Sequence, residues 1–370
     1  MNRKSGLPIV DLFAGAGGLS IGATAAGCDV RAAFELDAFA CETMRLNEGY
    51  HGEVVRADVA RLTGDDLRKV ARLNARDPLI VVGGAPCQPF SKAAYWTEEG
   101  DESRYRRARA AGEMVTRPAA PTEARPDERR TLVEEFWRLI FESNADGFVF
   151  ENVPSIRHPR NRPVLEGFRT AALAAGYEVT ETTGNAAQFG VAQTRERVFL
   201  LGARKRKPLA PLPTHAMGAE IAPHLDQAAT AGDALDGLGG ADYFEPEEVV
   251  TGRWAEHLRT VPPGSNYKAH TSWAGHPNPS FVTETRFWNF LLKLAPERPS
   301  WTIAASPGPW TGPFHWDTRR LRTVEMAALQ GFPRGYQMAG SRRERVRQIG
   351  NAVPPPMAAA MARAVAEAVA

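Results

Sequence analysis

The chain is poor in cysteine, with Cys28, Cys41 and Cys87 as the three in 370 residues. They are too few and too scattered for a disulfide framework, and no C-x-x-C pair or His/Cys cluster offers metal-ligand spacing. A structural metal is therefore not expected. Long apolar runs are missing too, and the N-terminal "MNRKSGLPIV" lacks the h-region of a signal peptide, so the expectation is a cytoplasmic protein with no membrane contact. Net charge is only +2, which neither demands nor excludes nucleic acid, because a binding cleft needs local rather than global charge. Local clusters do exist at "RYRRAR" (104–109), "RKRK" (204–207) and "RRERVR" (342–347), and each taken alone reads as a solvated face. Internal repeats and long low-complexity tracts are absent, which excludes a solenoid.

What is present is a core-forming chain, 43% hydrophobic, that predicts one large and one smaller domain. Over residues 1–203 short β-like runs such as "LPIVDLF", "DVRAAFE", "PLIVVGGAP" and "GFVFEN" alternate with helical patterns such as "RTLVEEFWRLIFES". This rhythm predicts an α/β unit on a parallel, doubly wound sheet, whose ligands bind at the carboxyl ends of the strands. The stretch 92–127 is too long and polar for an ordinary connection and reads as a functional loop or an insertion. From 204 to 300 the rhythm is lost to Pro, Gly, His and Trp. Trp254, Trp273, Trp288, Trp301 and Trp310 favour a packed, loop-rich second domain over a linker. Residues 301–370 carry two further helical patterns that return to the first domain.

Chemistry concentrates at strand ends. "DLFAGAGGLSIG" (11–22) closes a strand with glycines and opens a helix, the geometry that lets a cofactor approach backbone closely. Its spacing is F-x-G-x-G-G rather than the G-x-G-x-x-G of nicotinamide proteins, which remain a rival reading. Glu35 closes the next strand, placed for ribose hydroxyls, and Asp58 ends the third, placed for an adenine amino group. Cys87, in "VVGGAPCQPFS" (81–91), stands at the fourth strand end between two prolines, and Glu151, in "ENV", at the next. A nucleophile beside a carboxylate is one reading, and an inert core thiol beside a helix-capping acid is the other. In "QTRERVFL" (193–200) the alternation of Arg195 and Arg197 predicts that both face one side of a strand.

Taken together, "DLFAGAGG", "GGAPCQPFS", "ENV", "QTRERVF", "LQGFP" and "QIGNAVPP" resemble, in order and character, the sequence blocks of the DNA cytosine-5 methyltransferases of bacterial restriction-modification systems. The resemblance spans nearly the whole chain outside 92–126 and much of 204–300. It implies a Rossmann-like, S-adenosylmethionine-dependent methyltransferase fold and methyl transfer to C5 of a flipped cytosine in a specific duplex sequence. By the same resemblance Cys87 is the nucleophile, Glu151 serves N3, Arg197 holds O2 and Arg195 supports the cysteine loop. The cofactor contacts so implied are Phe13, Gly15, Gly17, Gly18, Glu35, Asp58, Pro86, Leu132, Asn351 and Val353. DNA contacts are implied for Gln88, Ser91, Arg104, Arg106, Arg107 and Arg109, and target recognition for 204–300. Gln188 and Ala192 depart from the family pattern. A monomer is expected, with double-stranded DNA as partner and a restriction endonuclease acting on the same sequence without a stable complex. A tRNA cytosine-5 methyltransferase and a catalytically inactive DNA-binding relative are the alternatives.

Overall fold

The computed structural model describes residues 6–86, 90, 104, 105, 108, 113–116, 127, 130–217, 223–281 and 288–370. Its centre is a seven-stranded sheet. In sequence the strands are β1 (Pro8–Leu12), β2 (Asp29–Glu35), β3 (Glu53–Arg56), β4 (Ile80–Gly83), β5 (Gly147–Asn152), β6 (Glu178–Asn185), the short β7 (Gln193–Thr194) and β8 (Glu196–Ala203). In space the order is β3-β2-β1-β4-β5-β8-β6. Strands β1 to β5 pair in parallel, as the alternating sequence predicts. β8 differs by running antiparallel to both β5 and β6. The reason is the connection: residues 186–195 are too few for the crossover that a parallel neighbour needs, so the chain doubles back.

The central strands are buried on both faces, and successive side chains choose opposite cores. Val10, Val81, Phe148 and Phe150 join an aromatic cluster with Phe136 and Phe168, whereas Ile9, Ile80, Val82 and Val149 join the other side. The first core is covered by α3 (Gly64–Ala71), α4 (Leu132–Glu142) and α5 (Arg162–Ala174), with α4 presenting Val133, Phe136, Leu139 and Ile140 at helical spacing. The second is covered by α1 (Gly18–Ala25) and by the C-terminal helix α10 (Pro355–Val369), which buries Met357, Met361 and Val365. Helix α2 (Ala38–Leu46) follows β2, its first turn capped by Asp37.

Beyond β8 the chain is mostly loops, with short helices α6 (Ala231–Leu235) and α7 (Ala255–Thr260) and strand β9 (Ser300–Trp301), which pairs with β7. One apolar cluster gathers Leu258, Tyr267, Phe281, Leu291 and Phe314, with Trp254 and Trp310 against it. The tryptophans do not all serve that core. Trp273 is 73% exposed and Trp288 55% exposed. Trp301 packs instead on a third cluster, where Ala231, Leu235 and Leu238 meet Leu294, Ile303 and helices α8 (Thr323–Leu329) and α9 (Arg342–Asn351). A buried ion pair of Arg322 with Glu248 and a partly buried one of Arg342 with Glu245 reinforce this junction. Among the described residues no helix is long and apolar enough to cross a membrane.

Candidate active site

A cavity of about 670 Å³ opens at the carboxyl ends of β1 to β5, roofed by α9. Its floor is the turn after β1. There Phe13 holds φ of 55° and Gly15 φ of 54°, both left-handed, so the chain turns tightly at a cost that a phenylalanine rarely bears. Glu35 clamps the turn: its Oε2 accepts from Gly15 N at 2.8 Å, while Oε1 accepts from Leu36 N and Asp37 N, each at 2.8 Å. Asp58 caps the next strand exit by accepting from Ala60 N at 3.1 Å.

The cavity wall contains Phe13, Gly15, Gly18, Glu35, Asp58 and Pro86 among the residues expected there. It also contains Leu132, Asn351 and Val353, together with Glu151 and Arg197. Gly17 is placed otherwise. It caps α1 at φ 82°, and a Cβ there would lie 2.2 Å from the His51 ring, so its smallness makes room for His51. His51 in turn bonds Tyr336, whose hydroxyl donates to Ala16 O at 2.7 Å. At Gly18 a Cβ would lie 2.1 Å from Val353 O, which explains how the "GNAV" segment reaches the glycine turn.

Glu151 and Arg197 come together across β5 and β8, with Arg197 Nε 2.8 Å from Glu151 Oε1. Burial pushes the Glu151 carboxyl above the usual glutamate range, outweighing the opposing pull of Arg197 and Arg195. A buried acid whose carboxyl is pushed up in this way holds its proton more readily than an exposed glutamate and is suited to donate a hydrogen bond or a proton. Arg195 is not on the strand that carries Arg197, although both pull on the Glu151 carboxyl. The ladder breaks between β7 and β8 at Arg195, whose buried guanidinium donates to Ile303 O at 3.2 Å and Gly350 O at 2.6 Å. It thereby ties the C-terminal segment to the sheet.

Sequence reasoning missed two supports of the site. Asn152 is fully buried and donates to Ala85 O at 3.3 Å, holding the strand exit that leads to Pro86. Gly84 lets Glu151 close in, since a Cβ there would lie 2.8 Å from Glu151 Oε2. The double glycine of "VVGGAP" was the available signal. Cys87, Gln88, Ser91, Arg106, Arg107 and Arg109 lie outside the described residues, and Arg104 is exposed. Cys28 and Cys41 are buried, and burial pushes each thiol up to about 11, which leaves neither a ready nucleophile. A second cavity of about 520 Å³, between residues 303–314 and α9, has Arg320, Arg342 and Arg343 in its wall.

The family model of the C-5 cytosine-specific DNA methylases matches residues 7–109 and 119–367. The chain belongs to that family. It is similar to type II methyltransferase M.SacI of Streptomyces achromogenes, 34% identical over 99% of this chain and 94% of the relative. Type II methyltransferase M.NgoFVII of Neisseria gonorrhoeae is 29% identical over 99% of this chain and 88% of its own length. Among solved structures, a putative DNA modification methyltransferase encoded within an E. coli prophage has the same fold, with TM-score 0.65, 21% identity and coverage of 97% of this chain and 98% of the other. The S. pombe Dnmt2 methyltransferase superposes with TM-score 0.59 and 15% identity over 98% of both chains. The chain is thus a DNA (cytosine-5) methyltransferase of the bacterial restriction-modification type, and the nicotinamide and tRNA readings fall away.

Proposed function

We propose that the cavity holds S-adenosylmethionine and that Cys87 adds covalently to C6 of a cytosine extruded from a specific duplex sequence. The observation that carries this reading is that the Glu151–Arg197 pair and the glycine turn share one cavity wall, with Pro86, the residue before Cys87, in it as well. The residues present fit the cofactor: Phe13 and Gly15 shape a close turn, Glu35 and Asp58 offer carboxylates to ribose and adenine, and Asn351 and Val353 close the far side. When bound, that cofactor supplies an electrophilic sulfonium methyl.

Cytosine C5 is a weak nucleophile, and the protein's part is to activate it. The Cys87 thiolate forms a bond to C6, and the ring electron pair moves toward N3, where Glu151 donates a proton. Arg197, beside that carboxyl, holds O2. The resulting enamine is nucleophilic at C5. After methylation a base, water in this reading, removes the C5 proton, the C6–S bond breaks and thiolate leaves, and N3 returns its proton to the Glu151 carboxylate. C6 is inaccessible inside a duplex, so the target base must leave the stack.

In this reading residues 204–300 contain the target-recognition region, which reads base edges in the major groove. Arg104, Arg106, Arg107 and Arg109 meet phosphates, with Gln88 and Ser91 near the flipped base, and Arg195 is a structural brace for the site. The protein works as a cytoplasmic monomer on double-stranded DNA, opposite a nuclease of the same specificity.

The test uses a duplex with 5-fluorocytosine at the target position. Fluorine cannot leave as a cation, so elimination should stall and the protein should stay attached to DNA through denaturation, only with S-adenosylmethionine present. Cys87→Ser should abolish the adduct and nearly all turnover while retaining duplex binding, because a hydroxyl is far less ionised than a thiol. Methylation by Cys87→Ser at the native rate would overturn the mechanism.

A further inference from the structure

Helix α9 brings Gln348 and Asn351 to the cavity, and Arg347 stands beside them in the same wall. The Arg347 guanidinium reaches across the cavity rim: its Nη2 lies 2.8 Å from Asp37 Oδ2, and its Nε bonds Glu344 Oε2 at 2.9 Å. Asp37 works in two other directions. Its Oδ1 accepts from Ala40 N at 2.9 Å to cap α2, and its own N–H donates to Glu35 Oε1 at 2.8 Å. A polar chain therefore runs from α9, through Asp37, to the carboxylate that closes the glycine turn. Apolar packing does not do this work at the rim. Leu36 is 59% exposed and Phe39 is 41% exposed, so the turn 35–37 is held by polar contacts. α9 is also fixed to α2 independently, because Thr43 Oγ1 donates to buried Gln348 Oε1 at 2.6 Å. Arg347 is thus spare as a fold anchor and specific as a contact to the turn.

We infer that Arg347 is a positioning residue for cofactor binding, orienting Glu35 through Asp37; the inference rests on the reading of the cavity as the S-adenosylmethionine site. Because the pair is partly exposed, with side chains 39% and 31% accessible, a modest effect is expected. Removing the pair loosens the turn and leaves Glu35 less often aligned. It does not touch the reacting cytosine.

The experiment is calorimetry of S-adenosylhomocysteine binding to the full chain, with steady-state kinetics on duplex DNA. Arg347→Ala should weaken binding about fivefold and raise the cofactor KM alike, with kcat at saturating cofactor and duplex affinity unchanged. Asp37→Asn, whose amide oxygen can still cap α2, should reproduce the effect, and the double variant should be no worse than either single one. Arg347→Lys should recover part of the affinity. Binding within twofold of native for both single variants would overturn the inference. A loss in Arg347→Ala alone, with Asp37→Asn neutral, would also overturn it, since Arg347 would then touch the cofactor directly. Absence of binding by the native protein would instead remove the cofactor reading itself.

Discussion

Asp11 lies beneath the glycine turn with one carboxylate oxygen accepting from both Ser20 N and Ser20 Oγ, and the other without a hydrogen-bond partner among the described residues. Burial pushes this carboxyl up to about 7, against the lowering pull of Ser20. The folded pKa lies above the unfolded one, so the native state holds its proton longer than the unfolded chain does. Stability from this group is complete below about pH 4 and is lost as pH rises through about 7. Asp11→Asn has no proton to lose. Its unfolding free energy relative to the native protein should therefore improve by up to about 4 kcal/mol between pH 4 and pH 8, read by urea titration at both. A difference independent of pH would show that Asp11 ionises as an ordinary carboxylate. In the proposed mechanism the raised Glu151 carboxyl gives its proton to N3, so kcat/KM should fall as pH rises through the Glu151 titration. An alkaline limb of kcat/KM that persists unchanged in Glu151→Gln would remove Glu151 as donor. Neither effect was legible in the sequence beyond position, because "DLF" and "ENV" name the acids without their burial. What the sequence did show at this scale was residue type at strand ends, enough to bring Glu35, Asp58, Glu151 and Pro86 to one cavity.

Elements tell a sharper story about legibility. The parallel strands announce themselves because burial on both faces demands unbroken apolar runs, as in "IVVG" and "GFVF". The reversal of β8 and the break at Arg195 do not, since strand direction follows from loop length and pairing follows from distant partners such as Ser300 and Trp301. Glycines carry a similar ambiguity. "GAGG" reads as one flexible turn, yet its members answer to different neighbours. Gly15 needs its left-handed φ of 54°, and a Cβ there would meet nothing nearer than Phe13 O at 4.0 Å, so Gly15→Ala should cost about 1–2 kcal/mol of backbone strain. Gly18 opens α1 against the carbonyl of Val353, 2.1 Å from where a Cβ would sit. Gly18→Ala must push the "GNAV" segment away. It should cost roughly as much in stability, about 1–3 kcal/mol, but also weaken cofactor binding by tenfold or more, because Asn351 and Val353 move with it. Denaturation and calorimetry on both variants separate these outcomes. Equal cofactor affinity in Gly18→Ala and native protein would mean that the segment yields without disturbing the cavity.

At the scale of the whole molecule the chain packs twice after β8 against the junction built by α8 and α9, and this sets where the proposed recognition region can be exchanged. Residues 231–238 bury Ala231, Leu235 and Leu238 with Leu329 and Phe332, and Glu245 and Glu248 pair with Arg342 and Arg322. Residues 294–303 likewise return to this junction: Leu294 and Ile303 join that cluster, β9 pairs with β7 in a separate two-stranded sheet, and Ile303 O accepts from Arg195. Between and beyond them lies the separate cluster of Leu258, Tyr267, Phe281, Leu291 and Phe314. Composition located this region by its loss of rhythm, but composition is blind to which loops face the sheet. If base reading resides in the separate cluster, exchanging 204–300 with a relative's segment replaces the junction and strands Phe314, and it should lower the melting midpoint by roughly 5–10 °C. A two-piece exchange of 250–292 with 306–314 leaves the junction native, and it should fold like the parent while methylating the relative's sequence, read by bisulfite sequencing of DNA from expressing cells. A folded, active two-piece chimera that still methylates the parent's sequence would place base reading outside this cluster.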